Sequence, residues 1–95
     1  MAAYVIGNIE VTDPERYPTY TQGVGASIVA YGGRFLVRGG AAEKLEGPTE
    51  PKRVVLIEFP SVERAKAWWD SDAYSELKAI RRSASVGSLM LVAGV

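Results

Sequence analysis

Two periodicities alternate along this chain, and their order leaves few folds open. Residues 3–11, AYVIGNIEV, alternate as a strand does, with Tyr4, Ile6, Asn8 and Glu10 on one face and Val5, Gly7, Ile9 and Val11 on the other. TDPE then signals a helix start. Either Thr12 caps it with Glu15 returning the bond, or Asp13 caps it with Pro14 at the first helical position. Tyr17, Tyr20, Val24, Ile28 and Tyr31 follow at spacings of three and four, a stripe down one helix face. Gly23 and Gly25 weaken that helix by about 1 kcal/mol each relative to alanine, so tertiary packing has to hold it. Gly32 and Gly33 can supply its left-handed C-terminal cap.

The next strand is Arg34 to Arg38, with Arg34, Leu36 and Arg38 facing one way and Phe35 and Val37 the other. A structureless loop over 39–51 would be long for a compact domain. These residues are therefore expected to continue a hairpin arm: Gly39-Gly40 as a bulge or bend, Ala42 to Leu45 extended, and the turn near 46–51. Lys52 to Phe59 is the third and most apolar strand. Pro60 ends it and Ser61 caps a second helix, which DSD at 70–72 interrupts before a further segment capped by Ser71 or Asp72. Gly87 to Ala93 is the fourth strand.

The order β-α-β-β-α-β is the ferredoxin-like, α+β arrangement. Right-handed crossovers give an antiparallel four-stranded sheet of order 4-1-3-2 with the helices on one face, one domain over 1–95. A chain this short buries only about 60–65% of its unfolded surface, and without cysteine no disulfide can add stability. Oligomerisation is the remaining common remedy. Eleven basic residues cancel eleven acidic ones, so the electrostatic footprint of a nucleic-acid or anionic-membrane binder is missing. The sheet also lacks the aromatic-plus-basic pattern of an RNA-binding sheet. No apolar run approaches the length of a membrane span, and no basic-then-apolar leader opens the sequence, so a cytoplasmic address is expected. The absence of histidine and cysteine excludes Ser-His-Asp and Cys-His nucleophiles, thiol redox chemistry and the usual zinc and haem ligands. No cofactor and no metal are expected: carboxylates alone could hold a hard cation such as magnesium, but no D-x-D-x-D loop supports one, and acid–base work would fall to Asp, Glu, Lys, Tyr or Arg.

Strand parity makes the uncovered sheet face the deciding feature. Val5, Ile9, Val11, Phe35, Val37, Val55, Ile57, Phe59, Leu89 and Leu91 would form a conventional core under the helices. The opposite face then collects Tyr4, Ile6, Leu36, Val54, Leu56, Met90 and Val92, with Asn8, Glu10, Arg34, Arg38 and Glu58 among them. That is too apolar to stay wet and too charged to form a dry core. Packing sheet to sheet against a second copy resolves both conflicts, so a homodimeric α/β barrel is expected.

The chain also resembles the domain of unknown function 1330 family, within the dimeric α/β-barrel superfamily. The resemblance runs through VTDPERYPTY (11–20), YGGRFLVRGG (31–40), LEG (45–47), RVVLIEFP (53–60), AWW (67–69), SDAY (71–74) and RRSAS (81–85). It departs at the tail, where Val86 and Ala93 stand where the family leads one to expect a polar and an acidic residue. The resemblance implies the fold and a homodimer. The family has no established activity; the wider superfamily includes cofactor-free monooxygenases, isomerases and haem enzymes.

Candidate site residues follow from type and facing. Arg38 and Glu58, on neighbouring strands with the same expected facing, are the candidate catalytic pair. A guanidinium binds a carboxylate or enolate through two parallel hydrogen bonds, and a carboxylate in apolar surroundings can serve as acid or base. The alternative is an interface ion pair that sets dimer register. Asn8 could orient a ligand carbonyl, and Glu10, nearer the strand end, is expected to be solvated or paired with an arginine. Tyr20 is a candidate pocket-lining residue. Trp68 and Trp69 differ by about 100° around their helix, so both cannot point squarely inward, and one is expected at a rim, a pocket mouth or a subunit contact. The expected function is a homodimeric small-molecule-binding protein or cofactor-free enzyme for a small carbonyl- or carboxylate-bearing metabolite. The alternative is a non-catalytic structural or regulatory module.

Overall fold

In the computed structural model, which describes residues 1–95, the two periodicities resolve into seven elements. They are β1 (Ala3–Val11), α1 (Tyr17–Val29), β2 (Arg34–Arg38), β3 (Arg53–Phe59), α2 (Val62–Trp69), α3 (Asp72–Ala84) and β4 (Ser85–Ala93). The strands form one antiparallel sheet in the order β2-β3-β1-β4, the ferredoxin-like arrangement. Central strand β1 pairs Tyr4 with Glu58 and Val92, Ile6 with Leu56 and Met90, and Asn8 with Val54 and Ser88. That register confirms the expected parity of β1, β3 and β4.

The core lies between the sheet and the helices. Val5, Ile9, Ile57 and Phe59 meet the α1 stripe of Tyr17, Tyr20, Val24 and Ile28, with Trp68 and Tyr74 from the second helical layer. Trp68 is 1% exposed, and its indole N–H donates to Ser27 Oγ at 3.0 Å, so the largest buried side chain leaves no unpaired donor. Ser61 caps α2 by accepting from Arg64 N, and Ser71 caps α3 by accepting from Tyr74 N. Gly32, at φ 79°, closes α1 in the left-handed conformation that glycine adopts without steric cost.

Three expectations need correction. The TDPE signal starts a turn, not α1. Asp13 Oδ1 accepts from Glu15 N and Arg16 N, and its carbonyl from Tyr17 N, so the helix begins at Tyr17 with Pro18 in its first turn. The segment between β2 and β3 is a loop, not an extended arm. Pro48 and Pro51 have no N–H to give a ladder, and Gly39 and Gly47 turn the chain at positive φ. The Asn8 side chain ties that loop down, donating to Glu50 O at 3.0 Å and accepting from Lys52 N at 2.8 Å.

The third correction concerns facing. Phe35 pairs with Ile57 and Val37 with Leu56, so Leu36 is an extra residue, a β-bulge. Beyond it the parity of β2 reverses. Val37, expected in the core, lies on the open face, and Arg38, expected on the open face, turns to the helix side. There Arg38 donates to Thr21 O at 2.8 Å and lies 4.5 Å from the centre of the Phe35 ring. The gain is local: a cation finds a carbonyl and a ring face, at the cost of exposing a valine.

Candidate functional site

Space opens where β4, an edge strand, meets α2. Val5, Ala65, Trp68, Trp69, Leu89 and Leu91 line a cleft of about 240 Å³, with Met90 and Lys66 at its rim. Seven of its eight lining residues are hydrophobic, so the cleft suits an apolar body. Its size is set by adjacent tryptophans pointing different ways. Trp68 fills the core behind the cleft, while Trp69 is only partly buried and forms one wall.

Around Trp69 the sequence of α3 gathers three cations. Lys78 Nζ lies 4.1 Å from the Trp69 ring centroid, and the Arg81 and Arg82 guanidinium carbons lie at 6.0 Å. None forms an ion pair; the two ion pairs of the chain are Arg34–Glu58 and Lys44–Glu50. Partial burial and repulsion from Arg82 push the Lys78 ammonium below its ordinary value, against an opposing pull from Asp70. Arg81 is 7% exposed, and its Nε donates to Tyr74 Oη at 3.3 Å. A shallow, more polar depression lined by Arg81, Arg82, Ser85 and Ser88 adjoins the apolar cleft, sharing Trp69 and Leu89 with it.

Beneath this wall the tyrosines form a relay. Tyr20 Oη and Tyr74 Oη are 3.0 Å apart, and Tyr74 stacks on Trp68 at 4.0 Å between ring centres. Desolvation raises the pKa of Tyr20 far above that of an ordinary phenol, with the neighbouring Tyr74 adding to it. Burial raises Tyr17 as well, partly offset by Arg53. Both phenols stay protonated at neutral pH and act as hydrogen-bonding groups. Under the centre of the sheet the core is nearly filled: the cavity between Tyr17, Tyr20, Arg38 and Arg53 holds about 20 Å³, room for one water.

The structure separates the pair expected to act together. Glu58 stays on the open face, where Oε1 accepts from Arg34 Nε at 2.9 Å and Oε2 from Tyr4 Oη at 3.3 Å. Arg38 is on the other side of the sheet because of the bulge. Asn8 spends its amide oxygen and one of its two N–H donors on the loop. Glu10 is exposed, as expected. Tyr20 lies one layer behind the cleft. Of the expected ligand-binding residues, only Trp68 and Trp69 meet at one cleft. Lys78, Arg81, Arg82 and Leu89 were missed. A signal existed: none of the three α3 cations has an acidic residue three or four positions away, so the helix leaves all of them without a local partner.

The sequence profile of the family described as "Domain of unknown function (DUF1330)" matches residues 2–95, and the chain belongs to that family. No curated protein matches the sequence. Among solved structures, a protein of unknown function from Rhodopseudomonas palustris, RPA0582, superposes with a TM-score of 0.77 at 20% identity, covering 99% of this chain and 82% of that one. SnoaB, a cofactor-independent oxygenase from Streptomyces nogalater, superposes at 0.64 with 8% identity, covering 99% and 93%. Rv0793 from Mycobacterium tuberculosis superposes at 0.58 with 14% identity, covering 100% and 96%. At these identities the likeness is one of fold.

Proposed function

We propose that this DUF1330-family chain works as a homodimer that binds a small, largely apolar, carbonyl- or carboxylate-bearing metabolite in the cleft between β4 and α2. It does so as a binding protein or as an enzyme that needs no cofactor. The cleft carries this reading. An apolar space of about 240 Å³ walled by two tryptophans is larger than a well-packed core leaves by accident, and it suits a ring or a short chain. Without histidine or cysteine, any chemistry would be proton transfer or reaction of a substrate that is itself activated. The shared fold of a cofactor-independent oxygenase is compatible with that.

The second copy is proposed to cover the open sheet face. Ile6, Leu36, Val37, Met90 and Val92 stand exposed there, with Val54 and Leu56 half-buried between them. A two-fold packing would bury these against each other. The Arg34–Glu58–Tyr4 cluster at the end of this face then sets register, as an ion pair that carries no ligand. A homodimeric module without catalysis is the second reading, favoured by the filled core under the sheet centre.

Native mass spectrometry of freshly purified protein, repeated under denaturing conditions, tests the function. The expected result is a dimer carrying a small extra mass that leaves on denaturation. A dimer that stays bare, and whose tryptophan fluorescence does not respond to small aromatic acids, alcohols or ketones, would contradict the ligand role.

A further inference from the structure

We propose that the cleft's ligand is an anion, a carboxylate or comparable acid on a small apolar body, and that Lys78, Arg81 and Arg82 of α3 seat its charge against Trp69. This rests on the cleft being the binding site and narrows the ligand from carbonyl or carboxylate to the anionic class.

Three observations carry it. First, the three cations surround one indole at 4.1, 6.0 and 6.0 Å, and none has a carboxylate partner. Like charges held this close oppose one another, and an anion bound between them would relieve that repulsion. Second, two of the three, Arg81 and Arg82, adjoin the apolar space, while Lys78 reaches the site only through the Trp69 ring. Trp69 and Leu89 line both the cleft and the depression that Arg81 and Arg82 flank, so one molecule can span apolar wall and cationic rim. Third, Arg81 is pre-positioned. It is 7% exposed, and the bond from its Nε to Tyr74 Oη holds the fork while its other nitrogens are not engaged by any side chain. A fixed guanidinium loses little freedom when it binds a carboxylate. Two charged groups could compete: Asp70, which pulls on Lys78, and Lys66, which also lines the cleft.

The test compares two probes of one shape, hydrocinnamate and hydrocinnamyl alcohol, titrated against tryptophan fluorescence at neutral pH and low salt. The acid is expected to bind about tenfold tighter than the alcohol, since a charge-assisted bond is roughly twice as strong as a neutral one. That advantage should shrink as salt rises. It should vanish in Lys78→Gln/Arg82→Gln, shrink partly in Arg82→Gln alone, and persist in Lys66→Gln. Arg81 is left in place because its burial makes a substitution there a folding risk. If both probes bind equally, the anionic assignment is overturned and the cleft stands. If the preference is lost only in Lys66→Gln, the charge sits at Lys66 and the assignment is overturned. If neither probe binds, the cleft reading falls and this inference with it.

Discussion

The two faces of the sheet are built from the same strands, and they end in opposite conditions. On the helix side, Val5, Ile9, Ile57 and Phe59 are covered by α1 and α2, and Trp68 finds a partner for its one polar atom. On the other side, residues one position away remain open: Ile6 is 37% exposed and Met90 59%. The chain completes one face by itself and leaves the other for something else to cover. Burying apolar side chains stabilises by about 25 cal/mol per Å² wherever the cover comes from, so the open face holds stabilisation that a lone chain cannot use.

The largest effects should separate the faces most sharply. Trp68→Ala removes the largest buried side chain and leaves Ser27 Oγ without its donor. A loss of about 3–5 kcal/mol in chemical denaturation is expected. On the open face, Ile6→Asp should leave the secondary structure intact by circular dichroism yet turn the proposed dimer into a monomer on size exclusion. A monomer that unfolds on its own would instead mean that Ile6 serves the core.

Smaller changes sharpen the picture on the helix side. Ser71→Ala takes away the α3 cap and the Ser71 Oγ bond to Trp68 O, and should cost about 1 kcal/mol. Tyr17 and Tyr20 hold their protons more tightly folded than unfolded, where each has the ordinary value of 10.0. The stability they contribute is therefore complete below pH 10.0 and is lost as pH rises above it. Thermal midpoints should fall in that alkaline range together with the appearance of tyrosinate absorbance, and a flat profile would contradict the burial. The smallest effect belongs to the open face. Arg34→Ala breaks a pair whose arginine is 70% exposed, so monomer stability should change by less than about 1 kcal/mol in urea titrations.

The same contrast explains what could be read from sequence. Parity over β1, β3 and β4 is regular, so the core and the open face were both legible from alternation alone. In β2, one added residue at Leu36 reverses every facing beyond it, and a bulge leaves no mark in composition. This is why Arg38 and Glu58, matched by parity, end on opposite sides of the sheet. The offset of Trp68 from Trp69 followed from helix geometry, and both line the cleft. The position of Arg81 and Arg82 beside the cleft was not legible, because a pair of cations on a helix reads as a solvated face until Trp69, from another helix, is seen lining both the apolar space and the depression that they flank. Asn8 shows the converse: its type fitted a ligand, and its partner proved to be a loop whose path no local signal predicts.

The open face is tested most directly by sedimentation equilibrium of the unmodified protein over a wide concentration range. The expected result is a dimer at micromolar concentration that Ile6→Asp and Met90→Asp each dissociate. A protein that stays monomeric up to millimolar concentration would contradict it, and would mean that this apolar face is stable in water without a second copy.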